Sequence, residues 1–362
     1  MMKKFIILLL TLGLISCGSS DDSNNNGGDG FNRGALLSNI ADSYIIPALQ
    51  DLDAKLSAMN TAKNNFVNDK TQANLDALSI AWLEAYKTWQ HVEMFDIGQA
   101  EALNKYLYFM NIYPTNITDI NNVVASGNYD LTMASLHDAQ GFPAIDYLIH
   151  SDGSLERFTT DVNATAYESF LTALVDRMQN LTTQVLNDWQ NSYRDAFVAN
   201  TSSSSTGSLD KMVNDFIFFY EKGFRTNKIG IPAGSFSGSP AAEKVEAFYK
   251  KDVSKTLAIE ALTAIEDVFE GKAYNGSSTG ESFKTYLAFL DENEIVTSIE
   301  EKFNNARTTL NNLPDNFYQQ VLDDNTTMTG AFDVIQTAVP ILKVDMASAM
   351  DVSIDYVDAD GD

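Results

Sequence analysis

Cysteine is almost missing from this chain: Cys17 is alone among 362 residues. No disulfide framework can be built from it, nor a cysteine-rich zinc or iron–sulfur centre. Histidine is nearly as scarce, with three residues, which leaves room for one modest histidine-containing metal site. Positive charge is short as well. Against 49 Asp and Glu stand 24 Lys and Arg, for a formal net charge of −25. Sequence-independent nucleic-acid binding needs basic side chains to displace phosphate counterions, so it is excluded. There is no His-Glu-x-x-His zinc motif, no phosphate-cradling glycine loop and no Gly-x-Ser-x-Gly nucleophile elbow. What is present is apolar material: 44% hydrophobic and 11% aromatic residues. That is enough for a large core and excludes wholesale disorder, and the length suits one large or two medium domains.

The amino terminus carries the most specific signal. Met1-Met2-Lys3-Lys4 is a short basic region, and Phe5–Ile15 is an apolar run too short to span a bilayer. Residues 1–16 therefore read as a signal peptide. Leu14-Ile15-Ser16-Cys17 resembles a bacterial lipobox, in which Cys17 is lipidated and becomes the mature terminus. The alternative is an ordinary secretory signal with a cysteine nearby. Residues 17–34 then form a lipidated cysteine and a flexible tether, because Gly18–Gly30 has no apolar side chain. Asp21-Asp22 resembles the acidic surface-export signals of Bacteroidetes lipoproteins. The expected location is the cell envelope, on an outer-membrane anchor facing the periplasm or the cell surface.

Beyond Phe31 the apolar residues recur every three or four positions, which predicts helices. Six long runs stand out: Leu36–Met59, Ala73–Phe95, Tyr167–Val198, Ala241–Phe269, Ile295–Leu313 and Met328–Met350. Pro340 should break the last near Val339, since proline removes a backbone hydrogen bond. Few segments alternate with period two, so the expected class is all-α. Residues 200–208 (NTSSSSTGS) read as a linker between a bundle over 35–199 and a second over 209–362 with an acidic tail. Gly141-Phe142-Pro143-Ala144 and Gly230-Ile231-Pro232-Ala233 are alike, as an internal duplication would leave them.

Several residues could carry chemistry. His91, His137 and His150 are scattered, and a lone helical histidine is more often structural than a ligand. In the segment 140–150, Pro143 fits a first helical turn and Asp146 suits a position near the helix N-terminus. Arg225 and Lys228 are a basic pair in an acidic chain, able either to hold an anionic ligand between the halves or to lock the halves together by salt bridges. Asp355, Asp358, Asp360 and Asp362 form either a solvated tail or a fragment of a calcium loop that lacks its closing glutamate.

Segment 140–150 also resembles the Gly-x-His-x-x-Glu signature of the imelysin family. Trp82–Gly98 is similar to the aromatic helix of that family, which ends in Glu, an aromatic residue and Gly. Arg225–Gly234 resembles its second-half loop, and Leu342–Met346 with Tyr356–Asp362 resemble the tails of imelysin-like lipoproteins of Bacteroidetes. The resemblance runs from about residue 35 to the end. It implies two packed helical bundles and a role in iron or haem acquisition, with peptidase activity as the other association. The signature is degenerate, with Gly141 kept but Pro143 in place of His and Asp146 in place of Glu. Proline can neither ligate a metal nor move a proton.

The resemblance places Glu93 and Asp146 in one pocket, joined by Arg225 and Lys228 as ligand-binding residues. Glu93, His91 and His137 are then the candidate metal ligands, for iron, haem or another divalent metal. The leading expectation is a lipid-anchored binding protein with its cleft between the bundles, attached to the membrane through Cys17 and working with outer-membrane iron-uptake proteins. An imelysin-type metallopeptidase and a structural or interaction surface lipoprotein are the alternatives.

Overall fold

The computed structural model describes residues 29–103 and 106–356. The signal segment, Cys17 and the tether up to Gly28 lie outside the described residues, as do Asp358, Asp360 and Asp362. Among the described residues the chain is all-α. No strand occurs, and the one extended pairing is an isolated antiparallel bridge between Lys272 and Thr279. Among the described residues, no helix is long and apolar enough to cross a membrane.

Helix α1 (Arg33–Asn39) passes through a π-helical stretch, Ile40–Ile45, into α2 (Ile46–Asn68); Pro47 has no amide to donate, and the Ser43 carbonyl four residues before it accepts from Tyr274 N at 2.9 Å instead. Leu49, Leu52, Leu56, Met59 and Phe66 make its buried face. A short loop leads to α3 (Gln72–Trp89), whose Thr71 cap accepts from Asn74 N. Helix α2 packs on both α3 and the long α5 (Ala164–Asp188), while α4 (Gly141–His150) lies against α3 and α5. In the second half, α6 (Ser208–Phe218) runs into a π-helix of 12 residues, Phe219–Gly230. Then come α7 (Ser254–Glu270), α8 (Asn293–Asn312) and α9 (Asn325–Gln336), with α8 packed on both α7 and α9.

The halves meet where α3 touches α7 and α1 touches α6. The apolar core is continuous from Phe31 to Val352 and buries Trp82, Trp89 and Trp189 almost completely. Each such side chain contributes about 2–3 kcal/mol through loss of apolar surface to water.

Three expectations change in detail. The run over 241–269 is helical only from Ser254. Before it lies a short 3₁₀ turn (Ala242–Lys244) and then a folded loop in which Ala247 and Lys251 adopt positive φ, a conformation no α-helix accommodates. Tertiary acceptors replace the helical ones there: Tyr249 N and Lys250 N donate to Asp146, and Ser254 Oγ donates to the Glu246 carbonyl. The second run stops at Trp89, after which Gln90–Met94 form tight turns. The segment 200–208 is a hydrogen-bonded turn: Ser208 N donates to Asn200 O, and Arg33 Nη1 reaches Ser203 Oγ at 2.5 Å. As the proline predicted, the last run is interrupted. Helix α9 ends at Gln336, and a π-helical stretch over Ile341–Met346 follows Pro340.

Candidate functional site

Where α3 gives way to turns, the chain brings Gln90 and Glu93 against residues from three other segments. Asn111 is the hub. Its side-chain amide donates to Glu93 Oε2 (3.1 Å) and to Glu246 Oε1 (3.0 Å), while its oxygen accepts from the Tyr86 hydroxyl at 2.5 Å. Lys228, near the end of the π-helix, donates to Glu246 Oε2 and to Gln90 Oε1, both at 2.6 Å. Gln90 Nε2 returns a bond to Glu246 Oε1 at 3.2 Å. Gln90, Asn111, Lys228 and Glu246 are all buried. Such a group is tolerated in a core because every member is satisfied; half-satisfied, it would be worse than an apolar core.

Glu93 is the member of this network that faces open space. It lines a cavity of about 360 Å³ between the turn after α3, the segment 107–112, α6, the π-helix and Asp355-Tyr356. Burial pushes its carboxyl up to about 7, and the nearby Glu246 adds to the rise; Lys228, the Asn111 amide and the adjacent Trp89 indole oppose it. The cavity carries five carboxyls (Glu93, Asp96, Glu101, Asp215, Asp355) against two ammonium groups, Lys211 and Lys222. Lys211 is paired with Glu101 at 3.0 Å, and Asp215 accepts from Asp96 N at 2.9 Å. Tyr108, Phe218, Phe219 and Tyr356 supply aromatic walls. A space of this kind suits a compact ligand with net positive charge and an apolar face, held by oxygen donors.

Local geometry explains why the backbone comes so close. Gly223 lies on the π-helix, and a Cβ there would sit 2.6 Å from the Phe219 ring. Gly141, at the start of α4, has φ of +76°, and a Cβ would stand 2.2 Å from the Met110 carbonyl next to Asn111. Only glycine lets α4 press against that strip of chain.

The sequence-derived candidates divide into two groups. Glu93 and Lys228 join one network. Asp146 does not: its three donors are Tyr249 N (2.9 Å), Lys250 N (3.0 Å) and His150 Nδ1 (2.8 Å), none shared with Glu93. Pairing Glu93 with Asp146 is therefore corrected, since the two carboxyls face different neighbours. Arg225 is buried and holds the π-helix to α9 through Gln336 and the Phe332 ring, while its bonds to Thr226 and Glu221 stay within the π-helix and Phe236 lies on its other side. It ties elements together, and Lys228 likewise bridges the halves through Gln90 and Glu246; of the two sequence readings of this pair, the salt-bridged one describes their contacts.

His91 spends both ring nitrogens on Tyr44 (2.8 Å) and Glu260 (3.1 Å), so it is not beside Glu93 as a ligand. His137 stacks on Tyr108 and meets Phe109 edge-on, and burial, then Arg177, lowers its pKa. Pro143 is buried inside α4. Among the described residues, no group of three or more His, Cys, Asp and Glu is arranged to hold a metal ion. Sequence reasoning missed Glu246, Asn111 and Gln90. Glu246 was hidden inside a run that looked helical, and neutral amides carry no distinctive pattern.

Comparison with known proteins agrees with this architecture. Residues 45–338 match the imelysin family. No curated protein matches the chain. Among solved structures, a protein described as an iron-regulated protein A precursor from Parabacteroides distasonis superposes with a TM-score of 0.70 at 17% identity, over 86% of this chain and 94% of that one. An imelysin-like protein from Psychrobacter arcticum also gives 0.70, at 15% identity, over 90% of this chain and 97% of the other. At such identities the likeness is one of fold.

Proposed function

Because the chain belongs to the imelysin family, we propose that it is an envelope binding protein that takes up iron, as a small complex or as haem, in the acidic cavity beside Glu93. The observation that carries this reading is a carboxyl poised near neutrality on the wall of a cavity rich in oxygen donors. Near neutral pH, Glu93 can give up its proton to meet a cation or keep it as a hydrogen-bond donor. Asn111 holds the carboxyl from behind and is itself anchored by Glu246, which Lys228 and Gln90 fix in place. An iron-regulated protein among the fold relatives is consistent with this role. Membrane attachment through a lipidated Cys17, and delivery to or from outer-membrane uptake proteins, belong to the same proposal and rest on the amino-terminal motif.

The metallopeptidase reading fits the residues less well. Pro143 offers no donor at the signature position, and Asp146 already accepts three hydrogen bonds. Among the described residues, no group of three or more His, Cys, Asp and Glu stands ready for a resident catalytic metal.

The test is a titration of the purified chain with ferric citrate and with haemin, read by quenching of Trp89, the indole next to Glu93. Saturable binding that weakens tenfold or more in Glu93→Gln is the expected result. Unsaturable quenching identical in both proteins would refute the reading. Radiolabelled palmitate incorporation in cells, abolished by Cys17→Ala, tests the anchor separately.

A further inference from the structure

On the far side of α4 from Gly141, three side chains form a line. Ser79 Oγ lies 2.7 Å from His150 Nε2, and His150 Nδ1 lies 2.8 Å from Asp146 Oδ1. The proton positions follow from the partners. Asp146 accepts from two backbone amides and so presents an acceptor to the ring, which puts the ring proton on Nδ1. Nε2 is then the acceptor, and the Ser79 hydroxyl donates to it. Trp82 packs edge-on against the imidazole with ring centroids 4.8 Å apart and fixes its plane. His150 and Asp146 are four residues apart on one helix face, and Ser79 comes from α3, which packs on α4. The dyad end is open: Ser79 and His150 both line a surface cavity of about 290 Å³ whose rim includes Gln72, Tyr249 and Lys250.

We propose that Ser79, His150 and Asp146 form a nucleophilic site that transfers short acyl groups from activated esters. Ser79 Oγ attacks the ester carbonyl carbon while its proton passes to His150 Nε2. The tetrahedral intermediate then expels the alkoxide, which leaves as the alcohol with that proton, and Ser79 is acylated. Water, deprotonated by His150, attacks the acyl carbon, releases the carboxylic acid and restores the hydroxyl. Asp146 is a positioning residue that keeps the imidazole in the Nδ1–H tautomer. The Tyr249 and Lys250 amides are spent on Asp146, while on the rim Gln72 Nε2 donates to Asp76 (2.7 Å) and Lys250 Nζ pairs with Asp252 (3.2 Å). With these donors already engaged, turnover is slow, and acylation is the step that shows itself. Nothing here depends on Glu93 or its cavity.

The experiment uses the purified chain, a fluorophosphonate probe and p-nitrophenyl acetate. The probe's phosphorus is attacked by Ser79 Oγ, fluoride leaves and His150 takes the proton. The expected result is one adduct mapped by mass spectrometry to Ser79, absent in Ser79→Ala, and a p-nitrophenol burst with it. His150→Gln should slow labelling about 100-fold, the usual contribution of a general base. Excess ferric citrate should leave labelling of the wild type unchanged, which separates this site from the iron reading. No adduct at Ser79 in folded protein overturns the proposal. So does equal labelling in folded His150→Gln, since Ser79 would then be merely exposed. Should His150→Gln lose its fold, Ser79→Cys replaces it: iodoacetamide must alkylate Cys at 79 at neutral pH at least tenfold faster than an unstructured cysteine peptide, and a peptide-like rate also overturns the idea.

Discussion

Asp146 and Glu93 are both enclosed carboxyls, yet their surroundings treat them differently. Three N–H donors converge on Asp146, two of them backbone amides locked in a loop. Glu93 receives one good hydrogen bond, from Asn111, and stands near a second acid, Glu246. Burial raises the pKa of any carboxyl, and donors lower it again. With a single donor, Glu93 rises to about 7. A carboxyl that closes a loop needs every acceptor used, and one that meets a ligand needs an acceptor left over. The number of donors, more than the depth of burial, separates an acid spent on closing a loop from one left open to a cavity in this fold.

The largest effect should come from the ion pair behind Glu93. Lys228→Met leaves Glu246 buried without its cation and should cost about 3–5 kcal/mol in urea unfolding. Lys228→Met combined with Glu246→Gln should recover at least half of that loss; additive losses would show that the pair is not the source. Asp146→Asn comes next. Its amide turns a donor toward a backbone N–H, so a cost of about 3 kcal/mol is expected. A neutral result would erase the contrast between the two acids.

Glu93 should reveal itself through pH. Its folded pKa, about 7, lies above the unfolded value of 4.5, so folding favours the protonated form. The stability this provides is complete below pH 4.5 and is lost as pH rises through 7. Between those limits the wild type should lose roughly 2 kcal/mol relative to Glu93→Gln, discounted for its partial exposure to the cavity. Parallel pH profiles for the two proteins would contradict the assignment. Iron affinity should rise over the same window, because cation and proton compete for one carboxyl. The smallest effect belongs to Lys211→Ala. Its pair with Glu101 is solvated, and about 0.5 kcal/mol or less is expected.

Much of the fold was legible along the chain. Three- and four-residue apolar spacing located α8 and the continuous helical stretch over 164–199 within three residues, and the stretch over 33–68 with its end placed nine residues short, because a helix that buries one face must repeat its apolar positions at that period. The break at Pro340 was legible for an equally local reason. The loop over 245–253 was not, since Glu246, Ala247, Lys250 and Lys251 suit a helix and the Asp146 acceptor draws the amides elsewhere. Glu93 was picked out through family resemblance, while Glu246 lies 135 residues from Asn111 and 156 from Gln90, and the two amides carry no charge to mark them.

The amino-acid sequence by itself determined the all-α class, the acidic charge and the family, because periodicity, composition and motif are properties of neighbours along the chain. Only the tertiary structure decided which acid meets a cavity, which is saturated, and which serine faces a histidine. Those are set by donors arriving from distant segments, and no local pattern records their arrival.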